Sequence, residues 1–381
     1  MVRHLQAQLG ATYDTHQTGF KMSETTQNHD SRLSARLGEP LPLRIAIFRA
    51  LMLGDLLCAV PALRALRAAL PEAAITLIGL PWARSFVSRF KHYLGDFLEF
   101  PGYPGLPERE PQLAAIPRFF AEAQRRQFDF SIQLHGSGSF VNSIVVLLGA
   151  RLNAGFYMHG EYCPDEERFL PFPAGESEIR IMLRLMEFLG VPLQGEALEF
   201  PLFSSDWDEL NEAANARELL NSDYVCLHPG ARYPSRRWPS ERFAAVGDAL
   251  ARAGLRVVIT GSESELDLAE RVSANMRESH FNYAGHTTLG ALGALLSRAR
   301  LLISNDTGVS HLSAALRVPS VIIVSCSDTQ RWLPHDHALH RAVLHPIECR
   351  PCKYEICPIG NPCALSVTPA EVLAQAADLI R

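Results

Sequence analysis

At 381 residues the chain has room for two domains, with a third only if the units are short. With 47% hydrophobic and 20% charged residues it can bury a sizeable core, which excludes wholesale disorder. The 36 Lys and Arg against 41 Asp and Glu leave a net charge of −5, so nothing drives the whole chain toward nucleic acid or an anionic membrane, and an anionic ligand needs a local site. The cysteines are the compositional oddity, since four of the eight (Cys349, Cys352, Cys357 and Cys363) fall close together. No apolar run approaches the ~20 residues of a membrane-spanning helix; the longest lies near Ile144–Ala150.

Residues 1–40 are polar, rich in Gln, Ser, Thr, Asn and His, and lack an apolar signal core, so they read as an unstructured extension of a cytoplasmic protein. From there strands and helices alternate. Leu43–Arg49 reads as a strand, a Gly-Asp turn follows, and Leu56–Leu70 repeats apolar residues at helical spacing. Strands at Ile75–Leu80 and Phe128–His135 and a helix near Val141–Leu148 continue the pattern. A Pro-bounded stretch near residue 205 precedes a polar helix, where Asp206 and Glu209 have capping spacing; this outweighs a metal-binding reading of Asp206-Trp207-Asp208.

The second half repeats the pattern: strands at Tyr224–His228, Arg256–Thr260, Leu301–Ser304 and Ser320–Val324, and helices at Glu241–Ala253, Glu265–Met276, Leu289–Arg300 and Ser310–Leu316. Thr368 and Glu371 form a capping box with Pro369 between them, so the chain ends in a helix. This grammar predicts an α/β protein with two parallel-sheet domains in series: 41–205 and 206–345, followed by a Cys-rich loop and helix at 346–381.

Ligands of such sheets bind beyond the carboxyl ends of the strands. There Asp306, Thr307 and Gly308 join a buried strand to a helix start, with His311 one turn in, a pattern suited to phosphate as well as to plain capping. Arg236 and Arg237 follow the turn at Pro229-Gly230 and could neutralise a pyrophosphate without a metal. Asp55 sits beside Gly54 in the first turn, as a helix cap or as a general base facing a cleft. Gly136-Ser137-Gly138 lacks the third glycine of a dinucleotide fingerprint and reads as substrate contact. The four clustered cysteines read as a structural metal site more readily than as disulfides, although their spacing is not the paired C-x2-C of a zinc ribbon. His335, Asp336, His337 and His340 read as a polar loop.

Taken in order, Arg44–Arg49 with Leu53-Gly54-Asp55 and Pro61–Arg64, Phe128–Gly136, Leu227–Gly230 with Arg237-Trp238-Pro239, Thr260-Gly261, and Asn305–Gly308 with His311 resemble the heptosyltransferases of glycosyltransferase family nine. The resemblance covers about Leu43 to Arg381 and implies a GT-B arrangement: an acceptor-side domain, a nucleotide-sugar domain and a final helix crossing back. It further implies metal-independent, inverting transfer of a heptose from an ADP-sugar to a lipopolysaccharide core or other glycan, with no nucleic-acid partner and with peripheral contact at the cytoplasmic face of the inner membrane. Asp55 would be the base, and His135 and Gly136 would touch the acceptor. Arg236, Arg237, Gly261, Glu263, Asp306, Thr307, Gly308 and His311 would hold the donor. Related chains carry a similar Cys-rich segment, here a candidate structural zinc or iron site. The alternatives are a nucleotide-sugar epimerase of similar shape, a protein O-heptosyltransferase and a non-catalytic metal-binding scaffold.

Overall fold

The computed structural model describes residue 33, residues 35–213 and residues 216–380. Its first unit contains β1 (Arg44–Phe48), α1 (Leu53–Ala69), β2 (Ala74–Gly79), α2 (Ala83–Arg89), β3 (Asp96–Glu99), α3 (Ile116–Arg125), β4 (Phe130–Gln133), α4 (Val141–Leu147), β5 (Leu152–Tyr157), β6 (Phe169–Pro171) and α5 (Glu178–Phe188). Two connecting helices, α6 (Ser204–Glu212) and α7 (Ala216–Leu220), lead into the second. That unit contains β7 (Tyr224–His228), α8 (Ser240–Arg252), β8 (Arg256–Ile259), α9 (Leu266–Asn275), β9 (Phe281–Asn282), α10 (Leu289–Arg298), β10 (Leu301–Asn305), α11 (Gly308–Ala315), β11 (Ser320–Ile323), α12 (Thr329–Trp332), β12 (His340–Val343), α13 (Pro362–Ser366) and α14 (Pro369–Ile380).

Each unit forms one six-stranded sheet, ordered β3-β2-β1-β4-β5-β6 and β12-β11-β10-β7-β8-β9. The pairings are parallel. Renumbered from their own first strands, the two orders are identical, and each reverses direction between its first and fourth strands, at β1/β4 and at β7/β10. Central strands are buried on both faces: Ile45 and Ile47 of β1 face one core, Ala46 and Phe48 the other. Such strands read as apolar runs in sequence. The edge strands β6 and β9, with 3 and 2 residues, are too short to carry a periodicity.

Several boundaries differ from expectation for local reasons. Helix α1 begins at Leu53, so Gly54 and Asp55 lie in its first turn, where Asp55 Oδ2 accepts the Met52 N–H (3.2 Å). Helix α11 begins at Gly308, and Ser310 Oγ donates back to the Thr307 carbonyl (2.7 Å). Of the extension expected over residues 1–40, residues 1–32 and 34 lie outside the described residues. Leu33 and Leu37 pack into the first core, and the Arg36 guanidinium sits 3.8 Å from the Phe188 ring centroid, so packing begins ahead of residue 41. Helix α14 packs on α8 and on β10, β11 and β12, because its buried Val372 and Ala376 complete the core around Trp238 and Phe243.

The two units meet through one continuous apolar cluster that runs from α1 and α5 through α6 and α10 to α11. At its edge Arg89 of α2 grips Asp206 of α6 with two hydrogen bonds (2.7 and 2.8 Å). Asp206 also accepts the Phe203 N–H (2.8 Å), so it serves as a cap and an ion-pair partner. The loop bearing His335 closes the other edge, with His335 3.2 Å from Glu196 and 2.7 Å from Ser177 Oγ.

Candidate active site

A cleft of about 240 Å³ opens where the two sheet reversals face each other. Asp55, Gly54 and Met52 of the first unit line one side; Arg232, Tyr233, Arg236, Thr307, Gly308, His311 and Trp332 line the other. The two helix starts nearly touch. A Cβ on Gly54 would lie 2.8 Å from His311 Cδ2 and 3.3 Å from Gly308 Cα, so this approach requires glycine.

Asp55 is anchored through its second carboxylate oxygen, while Oδ1 stays 4.0 Å from the Arg49 guanidinium. Burial pushes its carboxyl above the usual value, and Glu178 adds to the rise; Arg49, the Met52 N–H and His311 oppose it. Arg49, at the end of β1, is fully buried and spends its donors elsewhere: Nε on the Asp55 carbonyl (2.8 Å), Nη1 on the Leu134 carbonyl and Nη2 on Glu178 (2.9 Å). Nothing in the sequence flags Arg49 beyond its place at a strand end. Helix α5, absent from the sequence expectations, has a local start signal: Ser177 caps it by accepting the Arg180 N–H (3.3 Å) ahead of apolar residues at helical spacing.

Across the cleft, Asn305 ends β10 and fixes the loop after β7: its Oδ1 accepts the Trp238 N–H (3.0 Å) and its Nδ2 donates to the Pro229 carbonyl (2.8 Å). That loop presents Tyr233 between two guanidiniums, Arg232 at 5.2 Å and Arg236 at 5.6 Å from the ring centroid. Arg236 Nε is buried and has no hydrogen-bond partner among the described residues. A half-buried cation with an unused buried donor, lining a cleft, is suited to an incoming anion. Beside it the first N–H groups of α11 have no acceptor within their own helix, and the helix dipole adds positive potential.

His311 of α11 reaches Cys58 of α1 (Nδ1 to Sγ, 3.5 Å) and stands edge-on to Trp332. Burial lowers its pKa, favouring the neutral ring, although Asp306, Asp55 and Glu178 favour its charge. Asp306 is buried and accepts a hydrogen bond from Ser327 Oγ.

Other sequence-predicted residues lie elsewhere. Arg237 turns away, its Nε donating to the Ala231 carbonyl (2.9 Å), and it does not line the cleft. Gly261 packs on Ala284 and Glu265, and Glu263 lies in a short 3-10 turn; neither lines the cleft. The acid at the β7 end is Glu265, 3.8 Å from His228 Nε2 and so close over Gly230 that a Cβ there would meet its carboxylate at 2.0 Å. The capping box from Ser262 carries that signal, since Glu265 accepts the Ser262 N–H (2.8 Å). His135 lies at the β4 end, its Nδ1 accepting the Ala50 N–H (3.2 Å) and its Nε2 3.8 Å from Glu108; Gly136 follows at φ +62°.

Cys363 is within electrostatic reach of Cys349, Cys357 and Cys326, and Cys326 in turn interacts with Cys352; among the described residues no three His, Cys, Asp or Glu side chains gather tightly enough for a complete metal-ligand set. Cys349 is exposed, whereas Cys363 is buried in α13 and donates to Asn361 Oδ1 (3.3 Å). The loop also braces the cleft: Ser235, next to Arg236, donates its Oγ to the Tyr354 carbonyl (2.6 Å) and its N–H to the Glu355 carbonyl (3.1 Å).

Comparison with known proteins gives a consistent picture. The profile of glycosyltransferase family 9 (heptosyltransferase) matches residues 116–362. Lipopolysaccharide heptosyltransferase 2 of Salmonella typhimurium is 23% identical over 77% of this chain and 86% of its own length. Lipopolysaccharide heptosyltransferase 3 of Escherichia coli is 30% identical over 43% and 48%, and lipooligosaccharide heptosyltransferase 2 of Haemophilus ducreyi is 29% identical over 33% and 39%, so these two alignments span less than half of each relative. Among solved structures, a glycosyl transferase family 9 protein of Veillonella parvula superposes with a TM-score of 0.74 at 22% identity, covering 88% of this chain and 97% of that one. The E. coli ADP-heptose lipopolysaccharide heptosyltransferase II gives 0.69 at 18%, covering 88% and 98%. The iron-containing dodecameric glycosyltransferase TibC of enterotoxigenic E. coli gives 0.52 at 15%, covering 89% and 76%. With two Rossmann-like sheets in the GT-B arrangement and a profile match across most of its length, the chain belongs to glycosyltransferase family 9 and is a glycosyltransferase.

Proposed function

We propose that the protein transfers a heptose with inversion from ADP-heptose to a sugar of a lipopolysaccharide core, the first unit taking the acceptor and the second the donor. The observation that carries this reading is the arrangement of the cleft: the Asp55 carboxylate of the first unit faces Arg232, Arg236 and a helix start of the second, where Asp306 is tied to Ser327. The printed names of the relatives, lipopolysaccharide and lipooligosaccharide heptosyltransferases, support the choice of sugar and acceptor.

In this reading Asp55 Oδ1 accepts the proton of the acceptor hydroxyl as its oxygen attacks the anomeric carbon, and the sugar–diphosphate bond breaks on the opposite face. The departing diphosphate gains negative charge, which Arg236, Arg232 and the N–H groups at the start of α11 stabilise. His311 and Thr307 offer further hydrogen bonds. His135 and Gly136, at the neighbouring strand end, take the acceptor. These cations supply the charge that a divalent metal would otherwise bring, so the reaction is proposed to need none. An acceptor rooted in lipid A places the working enzyme at the cytoplasmic face of the inner membrane, as a peripheral protein.

The test incubates the purified protein with ADP-heptose and a heptose-deficient lipopolysaccharide. Acceptor-dependent ADP release that survives chelation and is lost in Asp55→Asn supports the reading. Isomerisation of the donor sugar without acceptor would instead favour an epimerase.

A further inference from the structure

We infer that Glu178 is a positioning residue for the reaction: it engages the Arg49 guanidinium so that Arg49 orients Asp55 without neutralising it. The inference rests on Asp55 being the base. Glu178 opens α5 and its side chain is 1% exposed, while that of Arg49 is 0% exposed. A buried guanidinium needs a counter-charge, and two carboxylates are within reach. Arg49 Nη2 lies 2.9 Å from Glu178 Oε1 but 4.0 Å from Asp55 Oδ1, which is beyond a hydrogen bond. The ion pair therefore forms with Glu178, while Asp55 is held through its main chain by the 2.8 Å bond from Arg49 Nε. One carboxylate oxygen of Asp55 is left free toward the cleft.

The other oxygen of Glu178 extends the arrangement into the second unit. Arg331 of α12 reaches Oε2 through Nε and Nη2, both at 2.8 Å. Its neighbour Trp332 lines the cleft and stands edge-on to His311. One buried carboxylate thus ties the base on the first sheet to the donor-side wall on the second. Glu178 stays ionised: burial would raise its pKa, but Arg49 and Arg331 outweigh that and hold it below the usual value.

The charged and titratable groups around Asp55 are Arg49 from the end of β1, Glu178 from α5, His311 from α11 and Cys58 one turn along α1, with Arg232, Arg236 and Asp306 across the cleft. Removing the Glu178 charge leaves Arg49 with Asp55 as its remaining partner. The guanidinium then pairs with the base and weakens it.

The experiment is the pH profile of kcat/KM for the full chain with ADP-heptose and the heptose-deficient acceptor. Glu178→Gln is expected to move the acid limb down by about one pH unit and to lower kcat by roughly 10- to 100-fold at pH 7, with Glu178→Asp recovering most of the loss. Arg331→Gln, at the more exposed outer partner, is expected to move the limb the opposite way, because the Glu178 charge is then less compensated. It also serves as the readout if Glu178→Gln fails to fold. A folded Glu178→Gln with an unmoved limb, or an unmoved limb in Arg331→Gln, overturns the inference and leaves a purely structural ion pair. Asp55→Asn run in parallel separates the two ideas: if it keeps near-normal activity, the base assignment itself has failed and the inference falls with it.

Discussion

The two sheet reversals share a strand order but carry opposite electrostatic character. At β1/β4 the helix after the first strand opens with a carboxylate, and the cation beside it is buried and already committed. At β7/β10 the helix after the fourth strand opens with Thr307-Gly308, and the cations on the preceding loop include a buried donor with no partner. In the proposed reading the same topology yields a proton-accepting half and an anion-accepting half, because topology delivers backbone to a point while the loops and helix starts converging there decide which charges stay uncommitted: Arg49 is paired with Glu178 and Asp306 accepts from Ser327. Each half lies at the point where a doubly wound sheet exposes its crevice.

The largest expected effect comes from removing the carboxylate that defines the first half. Asp55→Asn should lower kcat about 10³-fold, as measured by ADP release, with a stability change of roughly 1 kcal/mol or less because the amide oxygen can still accept the Met52 N–H. Gly54→Ala attacks the junction between the halves. The added methyl meets His311 and the Gly308 backbone, and a chemical denaturation curve should show a loss of about 1–3 kcal/mol together with reduced activity. In the anion-accepting half, Arg236→Ala should raise the donor KM by roughly 10- to 100-fold, the worth of a charge-assisted hydrogen bond, whereas Arg237→Ala should stay within about threefold. That pair of variants separates a cleft residue from its sequence neighbour in one titration. The smallest effect is a displacement rather than a loss. Burial raises the Asp55 carboxyl, so wild-type kcat/KM should fall as the pH drops through a value above that of an ordinary solvated aspartate. An acid limb at an ordinary carboxylate value would show Asp55 to be better solvated than its surroundings suggest.

Much of this was legible because each half announces itself locally. Gly-Asp after an apolar run and Asp-Thr-Gly before a helix are turn chemistry that a few adjacent residues specify. The central strands were equally plain, since burial on both faces leaves an uninterrupted apolar run. What escaped depends on distance along the chain. Arg49 and Glu178 are separated by 129 positions, and neither has a local signature: one is a polar strand end, the other an acidic residue in a first helical turn. Arg232, Tyr233 and Trp332 gain meaning only when two loops converge on one cleft. The cysteine loop is a mixed case: α13 carries Cys363 into the interior while Cys349 stays exposed, yet Cys363 feels Cys349, Cys357 and the sequence-distant Cys326, a neighbour that spacing alone does not reveal.

The glycine pair at the junction has a consequence for how this enzyme can vary. Gly54 and Gly308 open helices of different units and act as a shared spacer whose thickness is that of two hydrogen atoms. Loops around the cleft can lengthen, and the outer faces of both sheets can change, without altering the gap between carboxylate and helix start. A single methyl at this spot changes it at once. The tolerance of the catalytic gap is therefore set by the absence of two side chains, and a chimera that joins one half of this protein to a foreign partner will depend first on whether that partner also offers a bare backbone there.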